Sequence, residues 1–325
     1  MKKRIALVTG GYSGEREISL KSGEEVYRHI DRSRYDVFMI RIDRDGWFFS
    51  PEQGERLPVD RNDFTVVQDG IRSGFDCAFM AIHGTPGEDG KLQGYFDLLN
   101  IPYTSSGRTT SSVTFNKFFT NKIARSLGIK TADSLFFSKI DPMDPEQIIQ
   151  SLGLPCFVKP NNGGSSVGIT RVDLPDELQP AIRKAFHEDD DIVVEKYLPG
   201  FELTCGMIRH RGEPIVFPLT QIISKKSFFD YEAKYTPELA EEITPAPVDE
   251  SLRNRCQDVS RFLYHQLNCR GIVRFDYIVN GEDLFFLEVN TIPGLTRNSI
   301  VPKMVTAMGL TLTELYTMAI EEAFR

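Results

Sequence analysis

Short apolar runs alternate with amphipathic segments through the first hundred residues of the chain. The runs at 4–9, 36–42 and 76–82 have the length and composition of buried strands. After the first run comes a glycine turn and a segment with Val26 and Ile30 at helical spacing. This strand–helix–strand order predicts a parallel sheet, and such sheets collect ligand-binding groups at the carboxyl ends of their strands.

The remainder of the chain predicts a mixture of strands and helices. Helices are predicted at 114–127, 176–187 and 250–267, followed by two closing helices. Pro199-Gly200 interrupts the pattern and is interpreted as a hinge or boundary. Strands are predicted at 156–159, 192–197, 202–208, 215–217, 271–279 and 284–289.

The composition is that of a globular protein with two or three packed domains. A length of 325 residues exceeds what one core usually organises, and 41% hydrophobic with 26% charged residues is ordinary. A net charge of -8 argues against a protein that coats nucleic acid. Cysteines without CxxC spacing and histidines without HExxH predict buried thiols in a reducing compartment and no zinc site.

The start of the chain has two interpretations. A basic tetrapeptide followed by the apolar residues 5–8 resembles the beginning of a secretory signal. The apolar run is short and ends at Gly10-Gly11, which favours a first buried strand. No later run approaches the roughly 20 apolar residues of a membrane span. We therefore expect a soluble, cytoplasmic protein with no membrane or nucleic-acid partner.

The strongest local signal is a polar face on the hairpin near residue 280. Arg274 and Asp276 share one face of the first strand, because side chains alternate along a strand. Glu288 and Asn290 share one face of the second. All four converge only if the register shifts by one residue, so we predict a three-residue or bulged loop. Two carboxylates, an amide and a guanidinium suit Mg²⁺ ions bridging phosphates, but spacing alone leaves a surface salt-bridge face equally open.

A second signal is the glycine- and serine-rich loop at 161–168, which directly follows Lys159. Small residues let backbone N–H groups approach phosphate oxygens, and a preceding lysine supplies positive charge. The spacing is not that of a Walker motif, because Ile169 occupies the position of its lysine. A flexible hairpin loop is the alternative.

Two further loops follow predicted strands. Glu15 opens a predicted helix after Gly10-Gly11, where an acidic residue is commonly only a partner of the helix dipole. His83 stands at the end of the third predicted strand, above a glycine-rich loop. Each is open to a structural or a functional interpretation.

Taken together and in order, these segments resemble the D-alanine–D-alanine ligase family of the ATP-grasp superfamily. The resemblance implies an α/β parallel-sheet domain at 1–106 and two α+β lobes, at 107–198 and 199–325, that hold ATP between them. It rests on eight ordered stretches, which are GGYSGEREISL (10–20), HGTPGEDGKLQG (83–94), NK (116–117), VKPNNGGSSVG (158–168), EKYLPGFE (195–202), DYEAKY (230–235), RFD (274–276) and LEVNTIPGLTRNS (287–299).

For the nucleotide, the resemblance implies that Lys117 and Lys159 bind the phosphates together with the serine loop, including Ser166. Glu202 would bind the ribose hydroxyls, and two Mg²⁺ ions, or Mn²⁺, would complete the site. The adenine hinge would consist of Glu195, Lys196, Tyr197 and Leu198, and the metal ligands would be Asp276, Glu288 and Asn290.

For the amino acids, the resemblance implies that Glu15 receives the ammonium of the first D-alanine, with His83 nearby. Arg274 would stabilise the tetrahedral oxyanion. The carboxylate of the second D-alanine would be held by Ser299 and by the backbone at Gly294-Leu295. Lys234 and Tyr235 would belong to a loop that closes the site, with Tyr235 linked through Ser165 to Glu15.

The implied activity is ATP-dependent synthesis of D-alanyl-D-alanine through an acyl phosphate, for peptidoglycan precursors and cell-wall biogenesis. The chain departs from many relatives at Gly163, where an acidic residue is common, and at Phe229, where tyrosine is common. Tyr235 resembles the members that form dipeptides. The alternatives are a ligase of the D-Ala-D-lactate or D-Ala-D-Ser type and a nucleotide-binding regulatory protein. A homodimer is implied by the resemblance only.

Overall fold

The apolar run that opens the chain is the centre of the parallel part of the first sheet. In a computed structural model that describes residues 2–51, 54–164, 166–224 and 240–325, β1 (Lys3–Gly10) runs parallel to β2 (Tyr35–Asp43) and β7 (Cys77–Met80). The connection from β1 to β2 is α1 (Arg16–His29). Residues 5–8 of β1 are fully buried, so the predicted parallel sheet is confirmed.

Four short antiparallel strands extend this sheet beyond β2, and the sequence analysis did not predict them. They are β3 (Gly46–Phe49), β4 (Leu57–Asp60), β5 (Thr65–Gln68) and β6 (Ile71–Ser73), giving the order β6-β5-β4-β3-β2-β1-β7. Strands of three or four residues are too short to show a period. After β7 the chain forms α2 (Lys91–Leu98), which carries Leu92 and Phe96 at helical spacing.

The predicted helix at 114–127 is two helices, α3 (Arg108–Phe115) and α4 (Lys117–Ser126). Asn116 separates them with an extended ψ of 106°, and its side chain caps α4 by accepting from the N–H of Phe119. The break places Lys117 at the start of a helix. The reason is local, since asparagine is among the residues that favour a helix N-cap over a helix interior.

The second sheet has the order β10-β9-β11-β8 and is antiparallel. Its core is formed by apolar residues of the strands and of two helices, including Val158, Val194 and Ile182. The predicted helix at 176–187 begins two residues later, at Leu178, after the 3₁₀ turn Pro175–Glu177. The elements are β8 (Ser134–Ser138), α5 (Pro145–Leu152), β9 (Cys156–Pro160), β10 (Thr170–Val172), α6 (Leu178–Glu188) and β11 (Asp191–Lys196).

The third sheet is six-stranded, with the order β15-β14-β12-β16-β17 and β13 paired to β12. The helix α7 packs on it through Cys256 and Leu263. The elements are β12 (Phe201–His210), β13 (Glu213–Val216), β14 (Thr220–Ser224), β15 (Ala240–Ile243), α7 (Glu250–Gln266), β16 (Val273–Asn280) and β17 (Asp283–Asn290).

The hairpin of β16 and β17 corrects one prediction. Its turn is a two-residue connection, because Asn280 pairs with Asp283. The predicted one-residue shift occurs instead inside the strands, where Asp276 pairs with Glu288 while Tyr277 pairs with Phe286. A β-bulge re-aims the side chains beyond it, so the polar residues still converge.

The closing helices, α8 (Ile300–Ala307) and α9 (Leu312–Ala323), join the first and third sheets. Tyr316 of α9 packs edge-on against Phe79 of β7, with ring centroids 5.5 Å apart. The strands of each sheet fall within one of the three predicted regions, whose boundaries stay predictions. All five cysteines are buried and free, and no helix in the described ranges is long and apolar enough to cross a membrane.

Candidate active site

A cleft lies where segments that adjoin all three sheets meet. It is lined by Lys117 at the start of α4, by Gly163-Gly164 of the glycine loop and by Glu288 and Asn290 of β17. Glu88, from the loop after β7, also lines it. The structure therefore brings a predicted phosphate-binding lysine and two predicted metal ligands into one cavity.

The polar face of the hairpin forms a buried ion pair. Arg274 donates from Nε to Asp276 Oδ1 at 2.8 Å and from a terminal nitrogen to Oδ2 at 2.7 Å. Asn290 donates to the same Oδ2 at 3.0 Å. Burial acts to lower the pKa of Arg274, but Asp276 and then Glu288 and Glu202 outweigh it, so the pKa is raised. The salt-bridge alternative is thus correct about the pair, which is buried and not on the surface, next to the cleft residue Asn290.

The glycine loop is attached to the start of α4 by several hydrogen bonds. The Lys117 ammonium donates to the carbonyl oxygen of Gly163 at 2.5 Å, and its backbone N–H donates to that of Asn161 at 3.0 Å. Asn161 Oδ1 accepts from the N–H of Phe118. Ser166, with a φ of 58°, lines an adjoining cavity together with Lys117. Lysine and loop therefore face the same space.

Lys159 is held by a buried counter-ion. Its ammonium donates to Glu195 Oε2 at 2.6 Å, and Asn121 Nδ2 donates to the other carboxylate oxygen at 3.1 Å. Burial acts to lower the pKa of Lys159, and Glu195, followed by Glu288 and Glu202, raises it above the ordinary lysine value. The sequence reasoning missed Asn121. Its only signal was its place one helical turn after Lys117.

In the predicted adenine hinge at the end of β11, two backbone N–H groups form hydrogen bonds within the protein. The N–H of Lys196 donates to the carbonyl of Asp133 at 2.9 Å, and that of Tyr197 donates to Pro155 at 3.2 Å. The backbone carbonyl oxygens of the hinge carry two lone pairs each, so they can still accept a hydrogen bond from a ligand. Tyr197 follows directly after β11, and Leu198 is the second residue after it.

Glu15 reaches the glycine loop from the first sheet. It is buried just before α1, and its backbone N–H donates to Ser13 Oγ at 3.2 Å. A methyl group on Gly164 would lie 2.7 Å from Glu15 Oε2, and one on Gly84 would lie equally close. The two glycines therefore leave room for this carboxylate between them.

His83 is fully engaged inside the protein. Nε2 lies 2.8 Å from Ser22 Oγ, and Nδ1 lies 2.8 Å from the carbonyl oxygen of Ile292. Burial lowers the pKa of His83, so the ring is neutral. Because both ring nitrogens have protein partners, His83 contributes to the site by its contacts with the segment after β17.

Glu88 is a buried residue to which the sequence analysis gave no role, although it lies inside the stretch 83–94. Oε2 accepts from the N–H of Gly84 at 2.8 Å, and Oε1 accepts from the N–H of Ile292 at 3.1 Å. Burial, with the nearby charge of Glu15, raises the pKa of Glu88 to about 8. An acidic residue in a loop at a strand end was the available signal.

The residues predicted for the second carboxylate lie together at the start of α8. Ser299 is the N-cap of α8, and its hydroxyl lies 2.7 Å from Thr296 Oγ1. A methyl group on Gly294 would lie 2.8 Å from Ser299 Oγ. The N–H of Leu295 donates to Ser22 Oγ at 3.3 Å. Helix N-termini attract carboxylates, so this group suits an anionic end.

Four predicted positions cannot be placed. Ser165, Lys234, Tyr235 and the departure at Phe229 lie outside the described residues. The predicted closing loop at 227–235 does so as well.

The donors on the hairpin fit a hard divalent cation. Asp276, Glu288 and Asn290 present carboxylate and amide oxygens, the ligand atoms that Mg²⁺ prefers. Within the described ranges, no group of three or more His, Cys, Asp or Glu side chains has metal-binding geometry. The predicted set contains only two carboxylates, so it fits a metal that takes its remaining ligands from phosphate and water.

The comparisons with known proteins cover almost the whole chain. The family models described as D-ala D-ala ligase N-terminus and C-terminus match residues 4–106 and 123–321. A D-alanine–D-alanine ligase of Azobacteroides pseudotrichonymphae is 46% identical over 98% of this chain and 99% of its own length.

Solved structures agree with these matches. The VanG D-Ala:D-Ser ligase from Enterococcus faecalis has a TM-score of 0.88 and 31% identity, over 99% of this chain and 100% of its own. A D-alanine–D-alanine ligase from Bacillus anthracis complexed with ATP has a TM-score of 0.79 and 28% identity, over 99% of this chain and 98% of its own. The two family models together match most of the chain, and the relative from Azobacteroides pseudotrichonymphae is similar to it over nearly its full length. The chain therefore belongs to the D-alanine–D-alanine ligase family.

Proposed function

We propose that the protein is an ATP-dependent ligase that joins two D-alanines into D-alanyl-D-alanine through a D-alanyl phosphate. The observation that carries this proposal is the shared cleft, which Lys117, Glu288 and Asn290 line together with Gly164. Gly164 in turn touches Glu15. A polyphosphate site and a pocket for a small zwitterion are therefore contiguous, as transfer of a phosphoryl group to an amino acid requires.

In this proposal Lys117, Lys159 and Ser166 bind the ATP phosphates, and the segment Glu195 to Leu198 binds adenine through its backbone. Glu202, which lies in β12 beside β16, binds the ribose. Support comes from the ATP bound to the Bacillus anthracis relative. The carboxylate of Glu195 points to Lys159, so its own part is to hold that lysine.

Asp276, Glu288 and Asn290 would hold two Mg²⁺ ions, or Mn²⁺. Bound divalent ions neutralise charge that develops on a triphosphate during phosphoryl transfer. Two observations support this assignment. The three side chains carry oxygen ligand atoms, and the carboxylates of Glu288 and Glu202 act on both Lys159 and Arg274.

The first chemical step makes the first D-alanine carboxylate electrophilic. Its oxygen attacks the γ-phosphorus, the bond to the bridging oxygen breaks, and ADP leaves. Glu15 holds the ammonium group, which orients the carboxylate toward the phosphates. The protein supplies position and positive charge here, because phosphoryl transfer needs little covalent help.

In the second step the neutral amine of the second D-alanine attacks the acyl carbon, the bond from that carbon to the phosphate oxygen breaks, and phosphate leaves carrying the proton that the nitrogen loses. Arg274 stabilises the tetrahedral oxyanion, a contact whose loss typically costs about 3–4 kcal/mol of barrier. Gly294, Leu295 and Ser299 hold the second carboxylate at the N-terminus of α8. The roles of Ser165, Lys234 and Tyr235 stay predictions.

The test is D-alanine-dependent release of phosphate from ATP, with the dipeptide identified by mass spectrometry. We expect release that requires both D-alanine and Mg²⁺ and that fails with L-alanine. ATP hydrolysis that ignores D-alanine, or ligation of L-amino acids, would contradict the proposal.

A second candidate is ligation of D-alanine to D-serine, because the VanG relative carries that name at 31% identity. Supplying D-alanine with an excess of D-serine or D-lactate and analysing the products separates the candidates.

The dipeptide would serve peptidoglycan precursors in the cytoplasm. Sedimentation analysis tests the predicted homodimer.

A further inference from the structure

The backbone of Ile292 is bound at both of its polar groups by side chains from the loop after β7. Its N–H donates to Glu88 Oε1 at 3.1 Å, and its carbonyl oxygen lies 2.8 Å from His83 Nδ1. These contacts connect residues more than 200 positions apart in the chain. All three residues are buried.

A third contact holds the next part of the same segment. Ser22 Oγ accepts from the N–H of Leu295 at 3.3 Å and lies 2.8 Å from His83 Nε2. The carbonyl of Ile292 can only accept, so Nδ1 of His83 carries the proton. Nε2 then accepts from the hydroxyl of Ser22, and every polar atom of the chain of contacts is satisfied.

The same residues lead back to the first-substrate side of the cleft. The second oxygen of Glu88 accepts from the N–H of Gly84, which packs against the carboxylate of Glu15. The N–H of His83 donates to Ser19 Oγ at 2.9 Å, and Ser19 Oγ donates to the carbonyl of Glu15 at 3.2 Å.

We propose that Ser22, His83 and Glu88 are positioning residues that hold the segment 292–295, and with it the groups for the second substrate, at a fixed place relative to Glu15. We name these three side chains the bracket. The inference rests on the proposed function for its kinetic consequence, but the contacts themselves do not depend on it.

The segment 292–295 has no regular backbone hydrogen bonding of its own to hold it in place. It lies between β17 and α8, outside any strand or helix, and Ile292 and Leu295 within it are buried. Buried backbone groups need partners, and here three side chains supply them. Misplacement of substrate-holding groups by about 1 Å can cost about a hundredfold in rate, so a fixed segment matters for the second step.

The main experiment is Glu88→Gln, measured above pH 8, where the wild-type side chain is ionised and both of its oxygens accept. The amide keeps the shape but leaves one acceptor where two N–H groups need one each. We expect amide exchange over 291–299 to rise by about tenfold or more in the ligand-free enzyme, since lost partners favour local opening. We also expect the KM for the second D-alanine to rise by about tenfold while the KM for ATP changes less than about twofold.

Gln93→Met is the matched control. Gln93 is buried in the same stretch, but its amide donates to Gly87 and Ser105. We expect it to lower the melting temperature without raising exchange over 291–299. Two variants of His83 complete the test. His83→Asn keeps a donor for the carbonyl of Ile292, whereas His83→Leu does not. The KM for the second D-alanine should therefore rise less in His83→Asn than in His83→Leu.

Unchanged exchange over 291–299 in Glu88→Gln would overturn the bracket. So would an equal rise of the ATP and second-substrate KM values, which is what a merely structural role predicts. If instead the wild-type enzyme makes no D-alanine product while exchange responds as expected, the proposed function fails and the bracket stands.

Discussion

The two sides of the cleft organise their polar groups in opposite ways. On the side of the proposed nucleotide, Lys159 and Arg274 are charged and each is paired with a carboxylate, Glu195 or Asp276. On the side of the proposed amino acids, the neutral ring of His83 and the hydroxyl of Ser22 form hydrogen bonds with backbone.

This difference shows how one cleft serves two kinds of ligand. The ammonium of Lys159 can exchange a carboxylate for a phosphate oxygen at little cost in geometry, since Coulomb attraction is weakly directional. Hydrogen bonds to backbone fix direction and distance. A highly charged co-substrate is therefore met by exchangeable charges, and a small zwitterion is met by a rigid frame.

The largest expected effect comes from breaking the charged side at Arg274. Arg274→Ala should lower kcat by about 10²–10³-fold, because the oxyanion loses its donor. Arg274→Lys should recover only part, since an ammonium lacks the bidentate fork. Single-turnover dipeptide formation measures the effect. Arg261→Ala is the control, as Arg261 is an exposed arginine paired with Asp258. Equal loss in both variants would refute the role.

Lys159→Ala should lower kcat/KM for ATP by about 10–100-fold, in line with charged hydrogen bonds worth about 1.5–3 kcal/mol. It also leaves Glu195 buried without its cation. Adding Glu195→Gln should therefore restore stability but not ATP use, as unfolding and steady-state kinetics would show. Lys139→Ala, at an exposed lysine paired with Asp190, is the control. Full activity in Lys159→Ala would contradict the assignment.

Ser22→Ala breaks the frame on the other side. It leaves the N–H of Leu295 and Nε2 of His83 without their described partner, so we expect a loss of about 1–3 kcal/mol in the free energy of unfolding. Chemical denaturation measures it. A loss below the error of the measurement would show that water replaces the hydroxyl.

The smallest effect concerns an ion pair far from the cleft. Glu321 accepts from Arg34 and His210, and these hydrogen bonds, that of His210 first, lower its pKa to about 2. A depressed carboxyl pKa stabilises the fold above the unfolded value and loses that contribution as pH falls toward 2. Glu321→Gln should cost about 0.5–1 kcal/mol at neutral pH, with unchanged ligation. Equal destabilisation at neutral and acid pH would contradict this origin.

Much of the fold could be predicted from local pattern. The apolar run of β1, the hairpin and the closing helices have periods that identify them. The strands β3 to β6 are too short to do so. The helix break at Asn116 was not predicted, because a single N-cap residue does not interrupt the apolar spacing on either side.

The candidate site was predicted residue by residue where a motif carried it, as at Lys117, Lys159 and Glu288. The partners Asn121 and Ser22 were missed. They carry no motif, and their roles come from contacts with residues distant in the chain, such as Glu195 and Leu295.

By itself the sequence determined the longer elements and their order, the charged residue types and the family, because these follow from local periodicity and from residues at fixed spacing. Only the tertiary structure decided that the shift between Asp276 and Glu288 is a bulge inside the strands and that His83 and Glu88 hold Ile292. Both depend on how buried backbone groups find partners across the fold, and no local pattern contains that information.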